Sequence, residues 1–167
     1  MLSGQEIIEA VERGDITIKP FNKEQVNPNS YNLTLGQELY VYSDGILDSK
    51  KKNKLNKITI PDDGYILSPN EIYLALSNEY TENQVYVPQM SGRSSIGRVG
   101  LMVHSNAGGG SIGFNGKWLF NITCLVPTKV YKDMQIGQLW FFPIIGDDSI
   151  RYEGEHHNQK KVKSTKI

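Results

Sequence analysis

Two arginines, two serines and three glycines fall within the nine residues Gly92–Gly100, inside the segment SGRSSIGRVGLMVH (Ser91–His104). Arg offers a planar charged fork, Ser a hydroxyl donor, and Gly lets backbone N–H groups come close to an anion. Together these are the donors a triphosphate requires. An ordinary surface loop has a similar composition, and both readings stand on residue types alone. A second glycine cluster follows in AGGGSIGFNGKW (Ala107–Trp118). Three consecutive glycines permit positive φ or close backbone approach, as a ligand turn or a hairpin corner requires. Neither common nucleotide fingerprint is present: no G-x-G-x-x-G opens a helix and no G-K-S/T occurs. Phe114, flanked by Gly113 and close to Gly116, is either a core ring or a ring offered to a sugar or base.

The segment Lys117–Leu125 reads as a strand, which sorts its side chains into two faces. Residues 118, 120, 122 and 124 share one face and 119, 121, 123 and 125 the other. Asn121 and Thr123 are therefore polar residues beside Leu119 and Leu125. A half-buried Asn either satisfies backbone groups or reads the edge of a base with its paired donor and acceptor. The histidines are His104, His156 and His157. None stands at metal-ligand spacing, so no protein-held metal is expected.

The elements that position these groups are short. Ser3 and Glu6 fit a capping box, Ile7, Ile8 and Val11 recur at helical spacing, and Gly14 suits a left-handed stop, which predicts one amphipathic helix. After Asp15 come β-rich runs separated by Gly, Pro, Asn and Asp: 16–18, 31–35, 39–42, 58–60, 72–76, 85–87, 101–104, 118–125 and 139–144. Many short strands with frequent turns predict a sandwich, jelly roll or barrel. Gly at 16 of 167 residues exceeds the roughly 7% usual, which suits tight corners. Lys50–Lys57 carries five lysines around Asn53 and reads as a solvated hairpin loop. The last eight residues hold four lysines and no acid, so they form a disordered tail or a lid that orders over an anion.

A chain of 167 residues is one domain with room for a core. Eighteen basic and eighteen acidic residues leave no bulk charge to hold a nucleic acid. The single cysteine, Cys124, cannot supply a disulfide framework or the Cys pair of a zinc cytidine deaminase. No apolar run approaches the roughly 20 residues of a membrane span, and Met1–Leu2 runs directly into polar residues, so neither a membrane partner nor a signal peptide is expected. The expected location is the cytoplasm.

In order along the chain, these segments resemble the dCTP deaminase branch of the dUTPase superfamily. The opening MLSGQEIIEAVERGDITIKPF resembles its first helix and strand. PNSYNLTLG (Pro28–Gly36) resembles P-x-S-Y-D-L-x-L-G. SGRSSIGRVGLMVH resembles G-R/K-S-S-x-x-R-x-G-L, and AGGGSIGFNGKW resembles A-G-x-I-D-P-G-F-x-G. YEGEHHNQKKVKST (Tyr152–Thr165) resembles the tail pattern Y-x-G-x-Y-Q-x-Q. The resemblance implies a mainly β, distorted jelly-roll barrel with a short N-terminal helix, spanning residues 1–151. Residues 152–167 would be its C-terminal lid or flexible tail. It implies a homotrimer with nucleotide sites between subunits. Arg93, Ser94 and Ser95 would hold phosphates; Arg98, Ala107 and Asn121 would surround the base; Ser111 and Phe114 would meet the sugar; His156 and Gln159 would belong to the lid. No cofactor is required, and magnesium would arrive only on a bound triphosphate.

Three departures carry weight. Asn121 stands where the family keeps a general-base Glu, Ser111 where it keeps the Asp of the I-D-P turn, and Asn32 where it keeps the Asp of the S-Y-D block. Deamination needs a group that takes a proton from water and returns it to the leaving amine, a term worth roughly 10²–10⁴-fold. An amide does neither near neutral pH. The resemblance with its departures implies a catalytically impaired nucleotide binder that sequesters a nucleotide or nucleotide signal. The alternatives are an active dCTP deaminase or dUTP diphosphatase variant with a substitute base such as a tail His, and a structural or interaction trimer.

Overall fold

The computed structural model describes residues 1–103, 108–154 and 156–164. Helix α1 (Gly4–Arg13) starts at Ser3, whose Oγ accepts the Glu6 N–H at 3.2 Å, and stops at Gly14 with φ 85°. Only half of the expected capping box forms. The Glu6 carboxylate takes Arg13 Nη2 at 2.6 Å instead of reaching back to the cap. Arg13 lies two turns on along the same face, and a charged guanidinium is a stronger donor than a backbone N–H. Ile7 and Ala10 are buried, and the Leu2 N–H donates to the Phe141 carbonyl, tying the start of the chain to its last strand.

The strands are β1 (Ile16–Lys19), β2 (Val26–Asn27), β3 (Ser30–Tyr42), β4 (Leu55–Thr59), β5 (Tyr65–Leu67), β6 (Tyr73–Asn83), β7 (Tyr86–Gly92), β8 (Leu101–Val103), β9 (Asn115–Cys124), β10 (Thr128–Val130) and β11 (Gln135–Pro143), with a one-turn helix α2 (Ser94–Gly97) before β8. The main sheet runs β7-β11-β3-β6-β9-β8, with β1 on β6 and β2 and β4 on β3; β5 and β10 pair separately. Every pairing is antiparallel. Gly92 of β7 lies against Val103 of β8, so the two ends of the path approach and the sheet curls into a nearly closed, distorted jelly-roll barrel. No helix among the described residues is long and apolar enough to cross a membrane.

The two expected strands at 31–35 and 39–42 are one strand, β3, with a register shift against β6 between Leu35 and Leu39. Gly36 and the polar pair Gln37–Glu38 read as a break but form the irregularity. The lysine-rich stretch closes the β3–β4 hairpin, where the Asn53 side chain accepts the Asp48 N–H and donates to the Asp48 carbonyl. β2, β5 and β10, of two or three residues each, lie outside the runs expected from the sequence.

On β9 the expected alternation holds. Trp118, Phe120, Ile122 and Cys124 are buried, while Leu119, Asn121 and Thr123 are half-exposed. The β6–β9 register shifts between Leu76 and Tyr80, and there the Ser77 hydroxyl accepts the Trp118 N–H at 2.9 Å and donates to the Glu79 carbonyl at 2.7 Å. A side chain thus replaces the missing ladder bond. Next to it, Glu79 is 1% exposed, with Oε1 accepting from Gln25 Nε2 and Thr34 Oγ1 and Oε2 accepting the Thr34 N–H. These donors make burial of the carboxylate tolerable and join β6, β3 and the turn at Lys23–Gln25.

After β11 the chain returns to β9. The Tyr152 N–H donates to the Ile112 carbonyl, the Asn158 N–H to the Asn115 carbonyl and Oδ1, and the Lys117 N–H to the Gln159 carbonyl at 2.8 Å. Gln159 bridges Gly116 in parallel. Gly116 has φ 146°, and a Cβ there would lie 2.8 Å from the Gln159 nitrogen. Backbone pairing, rather than apolar burial, places this polar tail.

Two tests follow from the packing. Gly116→Val should detach the tail with the barrel intact: trypsin should cut after Lys160 and Lys161 faster than in wild type, with far-UV dichroism unchanged. Glu79→Gln turns an acceptor-only group into one whose NH2 faces donors. It should lower unfolding free energy by about 1–3 kcal/mol in urea titration.

Candidate functional site

The outward face of β9 forms one wall of a cavity of about 410 Å³. Leu119 and Asn121 lie on that wall, with Leu74 of β6 and Tyr42 of β3 beside them. Asn121 pairs with Leu74 across the β6–β9 ladder, so its place follows from the strand register. Among the described residues its amide takes no hydrogen bond, leaving donor and acceptor turned to the cavity. Ser111 and Gly110 come from the turn before β9. Gly110 needs to be glycine: a Cβ would sit 2.7 Å from the Trp118 ring and 2.8 Å from the Pro88 carbonyl. The turn closes with the Phe114 N–H donating to the Ser111 carbonyl at 3.1 Å, and Gly113 takes φ 82°.

Phe114 is half-buried and lines the cavity. Its ring centroid lies 5.0 Å from Trp118 and 6.0 Å from Tyr152, an aromatic corner at the junction of turn, strand and tail. The tail supplies the remaining side, with Tyr152, His156, Gln159 and Lys163. His156 Nδ1 lies 2.8 Å from Gln159 Oε1, Gln159 Nε2 donates to the Lys117 carbonyl at 3.4 Å, and the His156 N–H donates to Tyr152 Oη at 3.1 Å.

Arg93 and Ser94 lie elsewhere, in a second cavity of about 440 Å³ also lined by Met102, Gln138 and Trp140. Arg93 Nη1 donates to the Gln135 carbonyl at 3.2 Å. Ser94, Ser95 and Arg98 are exposed on and beside α2. No residue lines both cavities. The chain thus gathers Ser111, Phe114, Asn121, His156 and Gln159 in one place and Arg93 with Ser94 in another. Ser95 and Arg98 line neither cavity. Ala107 and His104 lie outside the described residues.

Asn32 belongs to neither cavity. It is buried beside β11, accepting from Asn27 Nδ2 at 2.8 Å and donating to Gln135 Oε1 at 3.0 Å, so amides satisfy amides there. Cys124 points into the core, where burial pushes its thiol up and keeps it from acting as a nucleophile at neutral pH. Sequence reasoning did not find Tyr42, Leu74, Trp118 or Lys163 as lining residues. Nothing local marks them; the sheet order brings Tyr42 and Leu74 beside Asn121.

The described residues around the first cavity offer two amides, three hydroxyls, an imidazole, an ammonium and aromatic faces, and no carboxylate. This set suits a ligand with a flat ring, hydrogen-bonding edges and negative charge.

Known proteins place this chain in a family. The chain is 44% identical to a protein of Clostridium acetobutylicum named "dCTP deaminase, dUMP-forming", over 97% of this chain and 93% of the relative. A protein of the same name from Cytophaga hutchinsonii is 42% identical over 97% and 93%. Among solved structures, the 2′-deoxycytidine 5′-triphosphate deaminase of Agrobacterium tumefaciens superposes with a TM-score of 0.67 at 16% identity. That superposition takes in 84% of this chain and 47% of the other, about half its length. The Staphylococcus bacteriophage 80alpha dUTPase with dUPNHPP gives a TM-score of 0.50 at 14% identity over 91% and 98%. At these identities the structures speak for the fold alone, a dUTPase-like barrel. The family model described as dCTP deaminase-like matches residues 1–144. By that match and by its 44% identity to curated relatives, the chain belongs to the dCTP deaminase-like family.

Proposed function

We propose that this chain binds a pyrimidine deoxynucleoside triphosphate in the cavity beside Asn121 and turns it over slowly or not at all. The observation that carries this reading is the lining itself: a polar and aromatic cavity with no carboxylate among its described residues. Asn121 and Ser111 stand where the family pattern has Glu and Asp, and neither an amide nor an aliphatic hydroxyl acts as a general base near neutral pH as a carboxylate does. Asn121 suits hydrogen bonding to a base edge, Phe114 and Ser111 suit the sugar, and Lys163 adds positive charge. No cofactor is needed, and magnesium enters only with the triphosphate. The chain works in the cytoplasm.

The separation of the two cavities supports a homotrimer in which Arg93 and Ser94 of one subunit complete the cavity of the next. Exposed Val99, Met102, Leu125 and Val126 cluster around the α2–β8 corner, with Met102 lining the Arg93 cavity. An apolar cluster beside a phosphate loop suits a subunit contact. The second reading is an active dUMP-forming dCTP deaminase, and the names of the curated relatives favour it.

Turnover decides between the two. Wild type incubated with dCTP should release dUTP or dUMP at far below about 1 s⁻¹, followed by chromatography, and Asn121→Glu should raise the rate by restoring a proton acceptor. Wild-type conversion at an ordinary enzymatic rate establishes the second reading. Arg93→Ala should weaken dCTP binding about 10- to 150-fold, the loss of a charge-assisted bond worth about 1.5–3 kcal/mol. Light scattering should give three chains per particle; a monomer at micromolar concentration removes the shared site.

A further inference from the structure

His156 is a cavity group to which the nucleotide reading gives no specific task, and its surroundings fix where its proton sits. Gln159 is 4% exposed, and its Nε2 donates to the Lys117 carbonyl at 3.4 Å. A carbonyl only accepts, so the amide nitrogen must face Lys117 and the amide oxygen must face His156. That oxygen, 2.8 Å from Nδ1, also only accepts. The neutral imidazole therefore carries its hydrogen on Nδ1, and Nε2 keeps a bare lone pair. Lys117 sits in β9 next to the Gly116–Gln159 contact, so the docking that places the tail also sets the tautomer.

The cavity otherwise offers mostly donors or amphoteric groups: the Lys163 ammonium, the Ser111 and Tyr42 hydroxyls and the Asn121 amide. A neutral imidazole nitrogen is an acceptor of a different kind, and it disappears on protonation. We propose that His156 Nε2 is a specificity-determining acceptor that selects a ligand presenting an N–H or O–H donor, and that this preference is lost when the ring takes a second proton. On a deoxycytidine nucleotide the donor is either the exocyclic amine of the base or the 3′-hydroxyl of the sugar. The proposal rests on the nucleotide reading. The titratable and charged groups around His156 are Tyr42 from β3, with Tyr152, His157 and Lys163 from the tail; β6 and β9 present Leu74, Leu119 and Asn121. Glu155 lies outside the described residues.

The sign of the pH effect follows from the tautomer. The lone pair exists on the neutral ring and is absent from the doubly protonated one, so selectivity belongs to high pH and fades at low pH. Calorimetry in the cold, with nucleotides checked intact by chromatography, compares dCTP, dUTP and 2′,3′-dideoxy-CTP at about pH 8 and about pH 5.5. All three carry the same triphosphate, so its own protonation divides out of the affinity ratios. At the higher pH dCTP should bind about 3- to 10-fold more tightly than dUTP if the amine is the donor, or than dideoxy-CTP if the hydroxyl is. That ratio should shrink toward one at the lower pH. In His156→Phe it should be near one throughout. In His156→Gln, whose amide oxygen reaches the place of Nε2 and does not titrate, the ratio should persist at both pH values. Ratios that ignore pH in wild type, or that survive in His156→Phe, overturn the proposal. Failure of all three nucleotides to bind overturns the nucleotide reading instead. Long-range ¹⁵N–¹H NMR of the protein alone then still judges the acceptor: an Nδ1–H tautomer that is lost in Gln159→Met upholds it, and an Nε2–H tautomer overturns it.

Discussion

A single close approach between two stretches of backbone shapes the site. At Gly116 the returning tail lies so near β9 that a Cβ would meet the Gln159 nitrogen at 2.8 Å. Only glycine leaves that space and accepts φ 146° without strain. Because the two backbones touch, the Lys117 N–H can reach the Gln159 carbonyl, and the Gln159 amide can reach the Lys117 carbonyl. Tyr152, His156 and Lys163 then become one side of the cavity. A polar segment with few apolar residues acquires a fixed place through backbone hydrogen bonds, which offset its ordering entropy where burial could not.

β9 joins the site to the core. Its inner residues, Trp118, Phe120, Ile122 and Cys124, anchor it in the barrel, which makes the outer residues a firm wall. The packing is tight enough that neighbouring residues must be small: Gly137 of β11 lies where a Cβ would come within 2.7 Å of the Phe120 ring. Asn121 inherits its position from this burial, since a strand held on one face has no freedom to turn the other. Glu79 plays a comparable part on β6. It is buried in donors and joins three segments, and it shows that the protein can keep a carboxylate inside where hydrogen bonds satisfy it.

The carboxylate therefore stands in the framework, while the described lining of the cavity is neutral or cationic. Such a lining presents hydrogen-bonding groups and positive charge to a ligand. Arg93 and Ser94 line a different cavity of the same chain.

Much of this was legible in the sequence. The periods of 3.6 and 2 gave the helix, most strands and both faces of β9, because burial of one face is written directly in the alternation of residue types. The ordered motifs gave the family, and Ser111, Phe114, Asn121, His156 and Gln159 do meet in one cavity. Tertiary structure alone decided the rest. Tyr42 and Leu74 join the cavity because β3, β6 and β9 are neighbours in the sheet, and strand order is a long-range property with no local mark. The unity of β3 depended on partners that bridge its irregularity, and the Glu6 carboxylate chose Arg13 over its cap because the side chains could meet in space. The division of Arg93 from Asn121, and the placing of His156 and Gln159 against Lys117, follow from distances between segments far apart in the chain. Residue types state what each group can donate or accept; only the folded chain states which groups meet.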